Sequence, residues 1–477
     1  MFRSPLRLSW LPRHLGGVAT LTLAAAALAV PGPATAAHPA LGGLGAAPHV
    51  TGAATASESG QDAVLRWNAN AGDAAVAACI APNGNPLIES RMYAEVQLAI
   101  HDALNAIHLR SQPYALHAHV PGASPPAAVA SAAKNTLVPI IKAFPDVVPP
   151  ECIHAGVAQV LADYDEAMSA IPDGIAKARG RALGRAAAEL ILAIRTGDGS
   201  HTPMVDPDYP QGTKPGEWRF TPGAPFAFAP GWGNVTTFAL RSSHQFFPEP
   251  PYSVTSEQYT ADFKEVKRLG GDGVTTPSDR TPDQTQIALF WLENSPLMWN
   301  GIARTVSQSQ HLDMWQNARL FALLNAGLAD GYIASFESKY DYKFWRPVTA
   351  IQLAADDGNP NTDADPTWTP LVQTPPIPDH ESAHAIEGGI GAWVMRQFFG
   401  TNHITFTACS QTLPEGQRCG EDDQVNRTYH SFTQAAAENG WSRVLIGFHF
   451  RHAEEVGIAR GRSVGVFTVN HLLRPVH

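Results

Sequence analysis

The chain has 477 residues, with 33 Lys+Arg against 43 Asp+Glu, a net charge of −10 and 44% hydrophobic residues. That balance argues against a general nucleic-acid or anionic-membrane binder, which needs a basic surface. The apolar content argues against a disordered chain. A local cationic pocket for a small anion stays open.

The N-terminus reads as a targeting segment. Arg3, Arg7 and Arg13 precede an apolar stretch from Gly16 to Val30, and Ala34-Thr35-Ala36 supplies an A-x-A cleavage site. This is the pattern of a secretory signal peptide over 1–36, so a secreted or periplasmic protein is expected. The stretch is shorter than the ~20 residues of a membrane span. No later segment is apolar for that long, and no membrane span is expected. Export permits disulfides. Cys409 and Cys419 flank a polar loop and are a candidate pair, which leaves Cys79 with Cys152, although four cysteines allow three pairings.

Residues 37–60 are rich in Ala, Gly, Ser and Pro and read as a flexible leader. Helical signals then dominate. Arg91 to Ile107 carries a helix-period stripe, and Val157 to Met168 and Ile175 to Ile194 carry similar ones. Thr281-Pro282-Asp283 is a helix start, with a Thr cap, Pro in the first turn and an acid near the positive dipole end. Further helices are expected over Met314 to about Ser338, Ala385 to Phe399 and Gly457 to Leu473. Alternating β-branched runs are scarce, so an all-α fold is expected. The Pro-rich stretches 197–255 and 355–380 read as long loops.

The chemistry concentrates in three clusters. Lys339 and Arg346 are seven apart, which on a helix returns to nearly the same face. Pro347 disfavours helix at the residue before it, so Arg346 is expected where the helix gives out. A point charge and a rigid guanidinium fork suit a tetrahedral oxyanion, although the pair alone also fits a solvated basic face. Asp379-His380-Glu381-Ser382-Ala383-His384 precedes a helix with Asp379 as expected cap. Its hydroxyl and N-terminal amides suit an anion. Ser442-Arg443, five residues and His449 follow, with Gly447 permitting close backbone approach. Alone, His449 also fits a packed core histidine.

Together, Lys339-x6-Arg346-Pro347, Ser382-Ala383-His384 and Ser442-Arg443-x5-His449 resemble the three signatures of the vanadium-dependent haloperoxidases. That superfamily includes the type-2 phosphatidic acid phosphatases and bacterial acid phosphatases. Phe344-Trp345-Arg346-Pro347-Val348-Thr349-Ala350-Ile351, Gly216-Glu217-Trp218-Arg219 and Trp232-Gly233-Asn234-Val235-Thr236 are similar to the haloperoxidase branch. The resemblance implies two helical bundles with long Pro/Gly-rich loops, an N-terminal helical region over 61–255 and a C-terminal bundle over 256–477 carrying the site. It implies vanadate as cofactor, with Lys339, Arg346 and Arg443 on its oxygens and Ser382 and the Ala383 N–H adding hydrogen bonds. His449 would be the vanadium ligand and His384 the acid/base. Hydrogen peroxide, halide and a small organic acceptor are the implied partners, and hypohalous acid the product. In the phosphatase version, His449 would attack phosphorus and His384 would protonate the leaving group.

Three positions depart from that pattern. Relatives usually read Pro-Ser-Gly-His where this chain has Glu381-Ser382-Ala383-His384. They usually carry Asp four residues after the second histidine, where Ala453 stands here, with Glu454 and Glu455 beside it. A methyl at Ala383, a charge at Glu381 and no acid at 453 are expected to weaken the site, and a degenerate anion binder is the limiting case. Ile377 falls where relatives line the halide pocket, and Glu293 where they often pair an acid with the acid/base histidine. His452 lies near His449 without a motif role. A different class competes: His380-Glu381-x-x-His384 fits the zinc-hydrolase pattern, two imidazoles one helical turn apart with Glu as base.

Overall fold

Caps and apolar periodicity account for most of the helices. The structure is a computed structural model whose described residues are 62–476; the expected signal peptide (1–36) and leader (37–60) lie outside the described residues. The first half carries α1 (Ala63–Ala77), α2 (Pro86–Ile107), α3 (Pro125–Lys142), α4 (Pro150–Ser169) and α5 (Ile175–Ile194). The second carries α6 (Glu257–Leu269), α7 (Pro282–Phe290), α8 (Ser295–Ser309), α9 (Met314–Tyr342), α10 (Pro347–Gln352), α11 (Ala383–Phe399), α12 (Phe432–Leu445) and α13 (Arg451–His471). Two short antiparallel pairs complete the described elements: β1 (Val205–Asp206) with β2 (Ala227–Phe228), and β3 (Phe406–Ala408) with β4 (Arg427–Tyr429).

The all-α expectation holds. Thr281 caps α7 through a reciprocal capping box with Gln284, which satisfies two otherwise orphaned amides. The helices α1, α3, α6, α8, α10 and α12 were not expected from periodicity. In the first half of α3, alanine fills most buried positions, so no large-residue stripe marks its inward face there.

Helix α9 is the spine. It packs against α2, α11 and α13 and is buried on all sides over most of its 29 residues, as expected of a helix without a polar face. Helix α11 packs most heavily on α13. Gly461 permits that approach, since a Cβ there would lie 2.1 Å from the Ile386 carbonyl oxygen. No helix of the described residues is long and apolar enough to cross a membrane.

Long loops are tied down by buried polar groups. Asp330 on α9 accepts the amides of Phe238, Ala239 and Leu240 at 2.6, 2.8 and 2.7 Å. Cys79–Cys152 joins the end of α1 to α4, and Cys409–Cys419 closes the loop after β3.

Asp330→Ala orphans three amides at once, each worth about 1–3 kcal/mol when buried without a partner. A stability loss of at least about 3 kcal/mol is expected in urea unfolding. A loss below about 1 kcal/mol would show that the loop is held by other contacts.

Candidate active site

The first cluster departs from one helical face. Lys343 turns left-handed (φ 49, ψ 42) and ends α9. Arg346 is therefore extended (φ −80, ψ 155) at the start of α10, not on the helix that carries Lys339. The intervening segment is clamped by the Gly216-Glu217-Trp218 stretch. Trp218 N donates to Lys343 O at 2.7 Å and Trp345 N to Gly216 O at 2.9 Å. From these two places both cations reach one loop. Lys339 Nζ donates to Pro378 O and Asp379 O at 3.0 and 2.8 Å. Arg346 Nε donates to Ile377 O at 2.7 Å, which fixes Ile377 through its backbone.

The second cluster corrects two expectations. Ser382, not Asp379, caps α11 (φ −70, ψ 121), its Oγ accepting from Ala385 N. Asp379 stays outside because its N–H is taken by Phe344 O at 2.9 Å. Ala383 is the first residue of α11 and is not among the positive-φ residues. Its methyl therefore carries no left-handed strain. Glu381 is fully buried and turned to Arg460 Nη1 at 2.6 Å and Ser338 Oγ at 3.1 Å. Its charge is thus paired with Arg460 while it still acts on Lys339.

The zinc pattern does not form. His380 and Glu381 precede α11, so the two histidines do not stack on one helical face. His380 Nε2–H donates to Glu249 O at 2.8 Å, and its ring stacks on His452. Among the described residues no group of three or more His, Cys, Asp or Glu is placed to hold a metal ion.

The third cluster hangs on a tight turn. Gly447 has φ +86, and a Cβ there would lie 2.6 Å from Gly270 O. The close approach expected at Gly447 is thus to neighbouring backbone. His449 follows, almost buried, with Arg346 Nη1 against both ring nitrogens, 2.9 Å from Nε2 and 3.3 Å from Nδ1. Ala453 leaves no acid four residues on; Asp379 Oδ1, from another element, lies 2.9 Å from Nδ1 without a hydrogen bond to it. Glu454 is buried beside Arg443 and Ser382. Ser442 bonds only locally, to Asn439 O at 2.6 Å.

Lys339, Arg346, His384, Arg443 and His449 thus lie within electrostatic reach of one another. Burial, then Arg346 and other cations, holds His449 well below the usual imidazole range. Burial, then Arg443, does the same to His384. Burial pushes Arg346 and Arg443 each down to about 10 and Lys339 well down. Burial lifts Asp379 to about 7 against the opposing pull of Arg346 and Lys339. Glu293, raised to about 7 by burial, accepts Gln411 N at 2.5 Å, while its own carbonyl faces the His384 ring.

Three buried nitrogens in this cluster have no partner: the donors Arg346 Nη2 and Arg443 Nε, and His384 Nε2, the lone-pair nitrogen of a neutral ring whose other nitrogen meets the Glu293 carbonyl. Orphaned buried donors are costly. Two guanidinium donors in electrostatic reach of an imidazole suit a small oxyanion, so the residues fit vanadate or phosphate. Sequence reasoning missed Asp379 as a neighbour of His449 and Arg460 as a partner of Glu381.

Residues 319–477 match the family model described as the VCPO second helical-bundle domain. The chain is 27% identical to a vanadium chloroperoxidase of Curvularia inaequalis, over 52% of this chain and 48% of that one. It thus spans about half the length of the curated relative it matches. The fold matches a bacterial vanadium-dependent iodoperoxidase with TM-score 0.69 and 23% identity, over 87% of this chain and 97% of that one. It matches an apo bacterial vanadium-dependent chloroperoxidase with TM-score 0.64 and 15% identity, over 83% and 96%. The chain is related in sequence and fold to the vanadium haloperoxidases.

Two outcomes follow from the buried charges. Arg460→Ala strands Glu381 and is expected to cost about 3–5 kcal/mol, whereas Arg460→Met with Glu381→Met costs much less; equal losses in the two variants would contradict the pairing. Burial pushes His380 down to about 3, so the folded protein keeps it neutral while the unfolded chain protonates below about 6.5. Stability from this group is therefore lost as pH falls from about 6.5 toward 3. Relative to wild type, His380→Gln should gain about 2 kcal/mol on going from pH 8 to pH 5. Urea unfolding at both pH values measures it, and an unchanged difference refutes it.

Proposed function

We propose that this protein is a vanadate-dependent haloperoxidase that uses hydrogen peroxide to oxidise halide. The observation that carries the reading is the pair of partnerless guanidinium donors on Arg346 and Arg443, gathered with Lys339, His384 and His449 at one buried place. A site built for an apolar ligand would not leave such groups unpaired.

Lys339, Arg346 and Arg443 would hold the anion's charge. Ser382 Oγ and the Ala383 N–H, which as the first amide of α11 has no intrahelical acceptor, would add hydrogen bonds. His449 would ligate through Nε2. Vanadate, when bound, supplies a Lewis-acidic centre that activates peroxide toward halide attack. His384 is held neutral by burial and by Arg443, so its Nε2 is free to take a proton and return it. Trp291 O, accepting from Arg443 Nη1 at 3.0 Å, keeps that guanidinium fixed while its Nε stays available. Hypohalous acid would leave and halogenate a small organic acceptor. Export through a cleaved signal near Ala36 belongs to the proposal, and the two disulfides support it.

Calorimetric titration with vanadate and with phosphate tests the reading, beside a bromide-oxidation assay. Wild type is expected to bind vanadate and oxidise bromide only with peroxide, and His449→Ala to lose at least about 100-fold in vanadate affinity. Phosphomonoester hydrolysis without bromide oxidation would turn the assignment to a phosphatase. Binding without turnover of either substrate would make the protein an anion binder.

A further inference from the structure

A second series of polar side chains lies buried at the end of α2. Ser111 Oγ is 2.7 Å from His101 Nε2, and His101 Nδ1 is 3.1 Å from Asp102 Oδ1. Three amides fix the carboxylate. Tyr114 N donates to Oδ1 at 2.8 Å, and Ala115 N and Leu116 N donate to Oδ2 at 2.6 and 2.7 Å. Its oxygens thus serve as acceptors, so His101 Nδ1–H donates to it and Nε2 accepts from the Ser111 hydroxyl. Asn105 holds the serine backbone, Oδ1 accepting from Ser111 N at 3.2 Å and Nδ2 donating to Ser111 O at 2.6 Å.

His101 and Ser111 line a cavity of about 360 Å³ together with Trp315, Phe398, Arg110 and Arg319, at the small end of ligand pockets. Arg110 is taken by Asp313, its Nη1 donating to Oδ2 at 2.6 Å. Arg319 spends only Nε, on Leu473 O at 2.8 Å, and burial lowers its pKa with no acid drawing it back. Lys339 lies on the same helix, α9, roughly 30 Å further on by helical rise. The cavity is therefore separate from the oxyanion site.

We infer that this cavity is a serine esterase site for a small ester of a phenol, with Ser111 as nucleophile, His101 as general base and Asp102 as the positioning residue of His101. A hydroxyl bonded to an imidazole that a carboxylate orients is the arrangement of an activated nucleophile. Ser111 Oγ bonds to the ester carbonyl carbon as its proton passes to His101 Nε2. The bond to the phenol oxygen breaks, and the phenol leaves with that proton. Water repeats the exchange, splitting the acyl-serine and freeing the carboxylic acid. Arg319 supplies a donor for the carbonyl oxygen as charge grows on it, and Trp315 and Phe398 give the ring apolar walls. The competing role is structural, in which the same hydrogen bonds only tie the loop after α2 to the helix.

Treating the full chain with a fluorophosphonate and mapping the adduct by peptide mass spectrometry separates the two roles, since a serine held only for structure is not phosphonylated. The adduct is expected on Ser111. Wild type should hydrolyse phenyl acetate at least about 100-fold faster than Ser111→Ala. Asp102→Asn should lower kcat by about 100-fold with KM unchanged, a split that a merely structural role does not give. No adduct on Ser111 overturns the inference. So does phenyl acetate hydrolysis that survives in folded Ser111→Ala, or a folded Asp102→Asn with the wild-type kcat. The labelling uses wild type alone and decides the matter even where a variant fails to fold.

Discussion

Lys339, Arg346 and Arg443 are withdrawn from water, and a buried cation is tolerated only where oxygen acceptors or negative charge replace its hydration. The surrounding chain answers that demand. Backbone carbonyls of Ile377, Pro378, Asp379 and Phe448 accept from the first two cations. Trp291 O accepts from the third. Irregular backbone is needed for this, because a helix spends its carbonyls on itself. The Pro-rich stretch before α11 is thus a source of acceptors at the point where the helices leave a gap.

The acids divide the remaining work. Glu381 is matched to Arg460 and also acts on Lys339. Asp379 lies between Arg346 and His449. Glu454 sits by Arg443 and Ser382. Of the three departures from the usual signature text, the charge at Glu381 is met by a partner elsewhere in the chain, and the methyl on Ala383 adds no left-handed strain. Among the buried atoms left without partners are the guanidinium donors Arg346 Nη2 and Arg443 Nε, which suit an anion.

The same economy of rigid parts shapes the rest of the molecule. Helix α9 ends at the left-handed Lys343, and that single turn separates Lys339 from Arg346. The Gly216-Glu217-Trp218 stretch holds the turn from outside, which explains why two motifs far apart in sequence belong together. Gly447, in a conformation where a Cβ would strike the Gly270 carbonyl, fixes the path between Arg443 and His449. Substituting alanine there would strain the turn rather than touch any ligand.

Residue order alone determined the all-α class, the long helices with a cap or an apolar stripe, and the five cationic and imidazole side chains of the site, because periodicity and cluster chemistry are local properties. It did not determine the alanine-rich helix α3, whose burial comes from neighbours rather than from its own pattern. Nor did it decide which residue caps α11 or whether Glu381 opposes the site. Those depend on Phe344 and Arg460, brought in from other elements. A charge has no local signature of its partner, and only the packed chain says which opposite charge is near enough to matter.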